Sequence, residues 1–108
     1  RSLLKQAVAC VDRNYTDENL SLNRVAREVN ISANYLSAVF SQELGATFTE
    51  YVTGKRMELA RELLRTTDKR SGEIAAAVGY RDPHYFSFLF KKTQGCTPRD
   101  YRSGARRG

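Results

Sequence analysis

Residues 71–98 read SGEIAAAVGYRDPHYFSFLFKKTQGCTP, and this stretch decides the fold. Gly72 to Val78 has the apolar spacing of a short helix, Gly79 supplies a turn, and Asp82-Pro83 places a capping residue ahead of a first-turn proline. Phe86, Leu89 and Phe90 then recur on one face until Gly95, and Thr97-Pro98 opens a last helix holding Tyr101. Residues 22–48, LNRVAREVNISANYLSAVFSQELGATF, repeat the pattern. Ala26 matches Ala75 and Val29 matches Val78 at an offset of 49. One extra residue in the second turn moves the offset to 50, pairing Tyr35 with Tyr85, Ser37 with Ser87, Phe40 with Phe90, Gly45 with Gly95, Thr47 with Thr97 and Tyr51 with Tyr101. Stacked solenoids need at least three repeats, so two copies indicate a duplicated functional unit. Each copy has the spacing of a helix-turn-helix. A small residue on the first helix (Ala26 or Ala75) lets the second cross closely, and four positions on, Asn30 or Gly79 accepts a positive-φ turn.

Working outward, Leu4, Ala7, Val8 and Val11 place an amphipathic helix over 2–14. Ser21 caps a short helix through Leu22, Val25, Ala26 and Val29; Ser32 caps the next, striped by Leu36, Val39, Phe40 and Leu44 and ended by Gly45. Thr47 to Arg65 reads as one long helix despite Gly54, which costs about 1 kcal/mol of propensity. Thr66 to Arg70 is a polar break. No stretch alternates like a strand. The expectation is an all-α fold of about seven helices: a first helix-turn-helix unit with a leading helix (1–46), a linker helix (47–66), and a second unit with a basic tail (67–108). Nineteen helical residues span roughly 28 Å, close to the ~34 Å of one DNA turn. One chain thus has the reach to present two helices to successive major grooves.

Composition narrows the partners. A chain of 108 residues suits a single domain with its own core. No apolar run approaches the ~18–20 residues of a membrane span, and no signal segment opens the chain. With one histidine, His84, and two cysteines far apart, Cys10 and Cys96, a metal site and a disulfide scaffold are poorly supplied. Cys10 has no neighbouring histidine or basic cluster to activate a thiolate, Cys96 stands in place of an ordinary small residue in Gly-x-Thr-Pro, and Asp82, His84 and Ser87 within about one helical turn cannot align as a triad. No enzyme and no cofactor are therefore expected. The net charge of +6 is uneven: residues 1–50 carry five basic and six acidic side chains, residues 51–108 thirteen and six. Arg102, Arg106 and Arg107 lie in the last seven positions. The chain opens on arginine within a helical pattern, which suggests a fragment of a longer protein.

Helical periodicity turns Asn34, Ser37, Ala38 and Ser41 outward on the first candidate reading helix (33–44). It turns Pro83, His84, Ser87, Phe88 and Lys91 outward on the second (83–94). Short polar and apolar residues let a helix approach base edges in a major groove. Arg56 and Arg61 are expected to pack or pair on the linker helix.

Taken together, Ile74-Ala75, Val78-Gly79-Tyr80, Tyr85-Phe86-Ser87, Phe90-Lys91-Lys92, Gly95, Thr97-Pro98 and Tyr101-Arg102, with Tyr51, Arg56, Ala60 and Leu63-Leu64, resemble the DNA-binding domain of the AraC/XylS family of bacterial transcription regulators. The wording at 47–51 and 82–86 is most similar to its response-regulator branch. The resemblance implies two helix-turn-helix units joined by a long helix, acting as the C-terminal output domain of a cytoplasmic regulator. The implied partners are double-stranded DNA, RNA polymerase and a parent receiver or sensor domain, with no membrane and no metal. Base-facing positions would be Asn34, Ser37, Ala38, Ser41, Pro83, His84, Ser87 and Phe88. Phosphate-facing positions would be Ser32, Arg81, Lys91, Lys92, Thr97 and Arg99, with Asp82 acting through its backbone. Members often carry arginine where this chain has Ala38 and Phe88. Its lack, with Asn34 suited to adenine and Phe88 to thymine methyls, leans the expected target towards A·T. The rival reading is a helical module that binds protein without reading DNA.

Overall fold

The computed structural model describes residues 2–107, with side chains from Leu3 to Ala105. Seven helices follow in order: α1 (Ser2–Asn14), α2 (Leu22–Glu28), α3 (Ala33–Leu44), α4 (Phe48–Thr66), α5 (Ser71–Val78), α6 (Pro83–Gln94) and α7 (Pro98–Arg107). The chain divides into two compact units, Arg1–Lys55 and Arg56–Gly108. Helix α4 runs unbroken through Gly54 and contributes its start to the first unit and its end to the second.

In the first unit, Ala7, Cys10, Val11, Val25, Ala26, Leu36, Phe40 and Val52 form the core. The expected caps are made: Ser21 Oγ accepts from the Arg24 N–H at 3.1 Å, and Ser32 Oγ from the Tyr35 N–H at 3.0 Å. Such caps satisfy first-turn amides that have no partner within the helix. Between them the chain reverses at Asn30, whose φ is 67°. Thr47 and Glu50 close a reciprocal capping box at the start of α4, with N–H to oxygen distances of 2.9 and 3.0 Å.

The second unit builds its core from Met57, Ala60, Leu64, Ile74, Ala75, Val78, Tyr80, Phe86 and Phe90. Its turn passes through Gly79 at φ 116°, and Asp82 caps α6 by accepting from the His84 N–H at 2.9 Å. The internal repeat is carried by equal contacts. Phe40 meets Tyr51 edge-on at 5.8 Å between ring centroids, and Phe90 meets Tyr101 in the same way at 5.8 Å. Thr97 Oγ1 accepts from the Asp100 N–H at 3.0 Å, as Thr47 does from Glu50.

Two details depart from the periodicity. Leu44, placed on the core stripe, is 39% exposed: it is the last residue of α3 and is not among the residues packed on the first core. Arg102, counted with the basic tail, is half-buried: its Nε donates to Leu64 O at 3.0 Å and its Nη2 to Thr67 O at 2.9 Å. It satisfies one carbonyl in the last turn of α4 and one just beyond the helix. The side chains of Arg106 and Arg107 lie outside those described.

A Cβ built on Gly54 meets nothing within 4 Å. Gly54→Ala is therefore expected to raise unfolding stability by about 1 kcal/mol through helix propensity alone. Urea denaturation would show a higher midpoint at unchanged slope; a lower midpoint would contradict a regular helix at this position.

Candidate nucleic-acid interface

Each unit lifts one helix face into solvent. On α3, Asn34, Ser37, Ala38 and Ser41 are all exposed, and their i, i+3, i+4, i+7 spacing places them on one face, opposite the buried Leu36 and Phe40. On α6, Pro83, His84 and Phe88 are exposed and Ser87 is half-buried, with Phe86 and Phe90 fully inside. Phe88 is 61% exposed, a large apolar surface for a helix that also carries Lys91 and Lys92. Lys92 Nζ sits 5.9 Å from the centre of the Phe88 ring.

Two tyrosines join these faces and were not among the predicted contacts. Tyr35 and Tyr85, the third residues of α3 and α6, are 55% and 51% exposed. They occupy matched positions of the repeat, off the apolar stripe of each helix. An aromatic recurring in register where packing does not call for it is the signal that could have found them. Tyr85 leans edge-on against Tyr80 at 5.9 Å, so its ring is held near the start of α6.

The positions expected to face phosphate are also at the surface. Ser32, Arg81, Lys91, Lys92 and Arg99 are exposed and Thr97 is half-buried. Ser32 and Thr97 use their oxygens as acceptors for their own helices, which leaves each O–H able to donate. Positive charge is distributed unequally between α3 and α6: α6 has Lys91 and Lys92 in its last turn, whereas α3 has no basic residue there and carries Glu43. Other cations of the second unit are turned to structural use. Arg56 is 8% exposed with its guanidinium 4.8 Å above the Tyr80 ring, Arg61 donates to Gln94 Oε1 at 2.7 Å, and Arg65 donates to the Tyr101 hydroxyl at 3.2 Å.

A family profile described as a helix-turn-helix domain matches residues 25–104. The C-terminal domain of AraT, a response regulator from Geobacillus stearothermophilus, shares this fold with a TM-score of 0.94 and 39% identity, covering 96% of this chain and 86% of that one. This chain belongs to the AraC/XylS family of helix-turn-helix DNA-binding domains. The C-terminal domain of the two-component response regulator yesN from Fusobacterium nucleatum gives a TM-score of 0.88 at 37% identity, over 91% of this chain and 95% of that one. The melibiose operon regulatory protein of Escherichia coli is 34% identical over 99 residues, 92% of this chain but 32% of its own length. The chain spans between 12% and 36% of the length of the curated relatives it matches.

The family is one of transcription-regulator DNA-binding domains, not of enzymes. In this AraC/XylS domain, Cys10 is buried, and burial together with the Glu28 charge pushes its thiol pKa up, away from the reactive thiolate. Among the described residues no helix is long and apolar enough to cross a membrane, and no three His, Cys, Asp or Glu side chains cluster to hold a metal.

Exposure separates two neighbouring phenylalanines. Phe88→Ala should change unfolding stability by less than about 0.5 kcal/mol, whereas Phe86→Ala should cost about 3–5 kcal/mol. Parallel urea titrations check the pair; a comparable loss in both would mean that Phe88 is a core residue.

Proposed function

We propose that this domain reads double-stranded DNA sequence-specifically as the output module of a transcription regulator, with α3 and α6 entering successive major grooves. The observation that carries the reading is the duplication itself. Two capped helices each bury one apolar stripe and expose a face of short polar and apolar side chains, as a groove-reading helix requires. Asn34, Ser37, Ala38 and Ser41 would read from α3, and Pro83, His84, Ser87 and Phe88 from α6. Ser32, Arg81, Lys91, Lys92, Thr97 and Arg99 would hold phosphates. The 19 residues of α4 support a reach of about one helical turn of DNA, since they rise roughly 28 Å.

The charge difference between the reading helices assigns them unequal work. Lys91 and Lys92 favour phosphate capture by the second unit, whereas α3 discriminates with little electrostatic help. With neither Ala38 nor Phe88 able to grip guanine bidentately, the favoured target leans towards A·T. A receiver or sensor domain would supply control, a reading supported by the likeness to the AraT and yesN response-regulator domains, and RNA polymerase would be the downstream partner.

Selection of bound fragments from genomic DNA should return A·T-leaning sites with two sub-sites about one helical turn apart. Guanine-rich sub-sites under α3 and α6 would refute the base assignment. Gel-shift titrations on random duplex should show binding that falls steeply with salt; absent or salt-insensitive binding would favour a protein-binding module instead. Lys91→Ala should weaken all duplexes alike and reduce the slope of log K against log salt by about 0.9, one phosphate contact. Loss confined to one sequence would assign Lys91 to base reading.

A further inference from the structure

A cleft of about 410 Å³ opens in the second unit where the end of α4 and the starts of α5 and α7 meet. Arg70, Ser71, Arg99 and Arg102 line it, with Leu64 and Pro98 as its apolar lining. Arg102 is set in place by its bonds to Leu64 O and Thr67 O, so one guanidinium is already ordered beside the cleft. The Ser71 Oγ is buried and has no hydrogen-bond partner.

The repeat shows how unusual this corner is. Position 70 corresponds to Ser21, which caps α2 with its hydroxyl; here the capping position holds an arginine, whose guanidinium has donors only. Serine is displaced by one residue to Ser71, where its oxygen makes no hydrogen bond. Helix α5 therefore begins without a side-chain acceptor for its first-turn amides. Glu73 on that turn accepts the Arg70 backbone N–H at 2.7 Å. Arg99 and Arg102 correspond to Thr49 and Val52, so all three cleft arginines belong to the second copy alone. First-turn amides without a side-chain acceptor, the unpartnered Ser71 hydroxyl, the exposed Arg70 and Arg99 and an Arg102 already fixed through its Nε and Nη2 place several donors around one cleft.

We propose that this cleft is an oxyanion site, confined to the second unit, that takes a phosphate group. The phosphate belongs either to a DNA backbone or to a free phosphorylated compound, and the chemistry of recognition is the same. Only the DNA source rests on the function proposed above.

The test is an NMR titration of the 15N-labelled domain with inorganic pyrophosphate at low salt. Saturable shifts centred on the Ser71 and Gly72 amides are expected, weakened at least tenfold in the Arg70→Ala/Arg99→Ala double variant and unchanged in Lys5→Ala. Both replaced arginines are exposed, so the fold is retained. Absent shifts, shifts spread evenly over the basic side chains, or an undiminished response in the double variant would overturn the proposal. Displacement of pyrophosphate by a selected duplex, with a salt slope about 0.9 shallower in the double variant, would identify the backbone as the source. Retention of pyrophosphate on the DNA complex would identify a free compound. The pyrophosphate measurement does not depend on DNA binding, so a domain that binds no duplex would overturn the earlier function without touching this one.

Discussion

The second helix of each unit, α3 or α6, is positioned by one backbone reversal. The N–H of Ile31 bonds the carbonyl of Ala26 at 3.0 Å, and the N–H of Tyr80 bonds that of Ala75 at 2.8 Å. Both bonds form only because the chain between them passes through a left-handed residue, Asn30 in one copy and Gly79 in the other. Ala26 and Ala75 are buried behind these turns at 3% and 1% exposure. A larger side chain there would push the second helix away and move every residue of its outer face. Glycine adopts positive φ without a Cβ penalty, and asparagine accepts it at modest cost.

From that reversal the remaining order follows. Ser32 and Asp82 start the second helices, and the rings of Phe40 and Phe90 anchor their far ends against Tyr51 and Tyr101. Burying one stripe of a twelve-residue helix leaves the opposite stripe in solvent, so the exposed face results from core packing. The positive charge of the second half then divides by role. Arg56, Arg61, Arg65 and Arg102 hold the unit together, while Lys91, Lys92 and Arg99 remain at the surface.

Much of this was legible in advance. Helix positions, the Ser21, Ser32 and Asp82 caps and the left-handed turn at Asn30 depend on interactions within a few residues, and short-range chemistry is written in local spacing. The outward placement of Asn34, Ser37, Ala38 and Ser41 followed from the same periodicity. Leu44 was misjudged because a stripe says which side a residue faces and not how far along the helix the core extends. Tyr35 and Tyr85 were noticed as matched residues, yet their exposure depends on where each apolar stripe meets its core.

The sequence alone determined the helical pattern, the Ser21, Ser32 and Asp82 caps, the turns at Asn30 and Gly79, the duplication and the family, because each rests on local pattern or on repeated spacing. Tertiary structure decided which charges are available. Arg102 and Lys91 carry the same formal charge in the string of residues, but one reaches carbonyls 35 and 38 positions away and the other points into water. It also gathered Arg70, Ser71, Arg99 and Arg102 around one cleft from two separate elements. Such long-range meetings depend on how helices pack, and no periodicity along the chain encodes them.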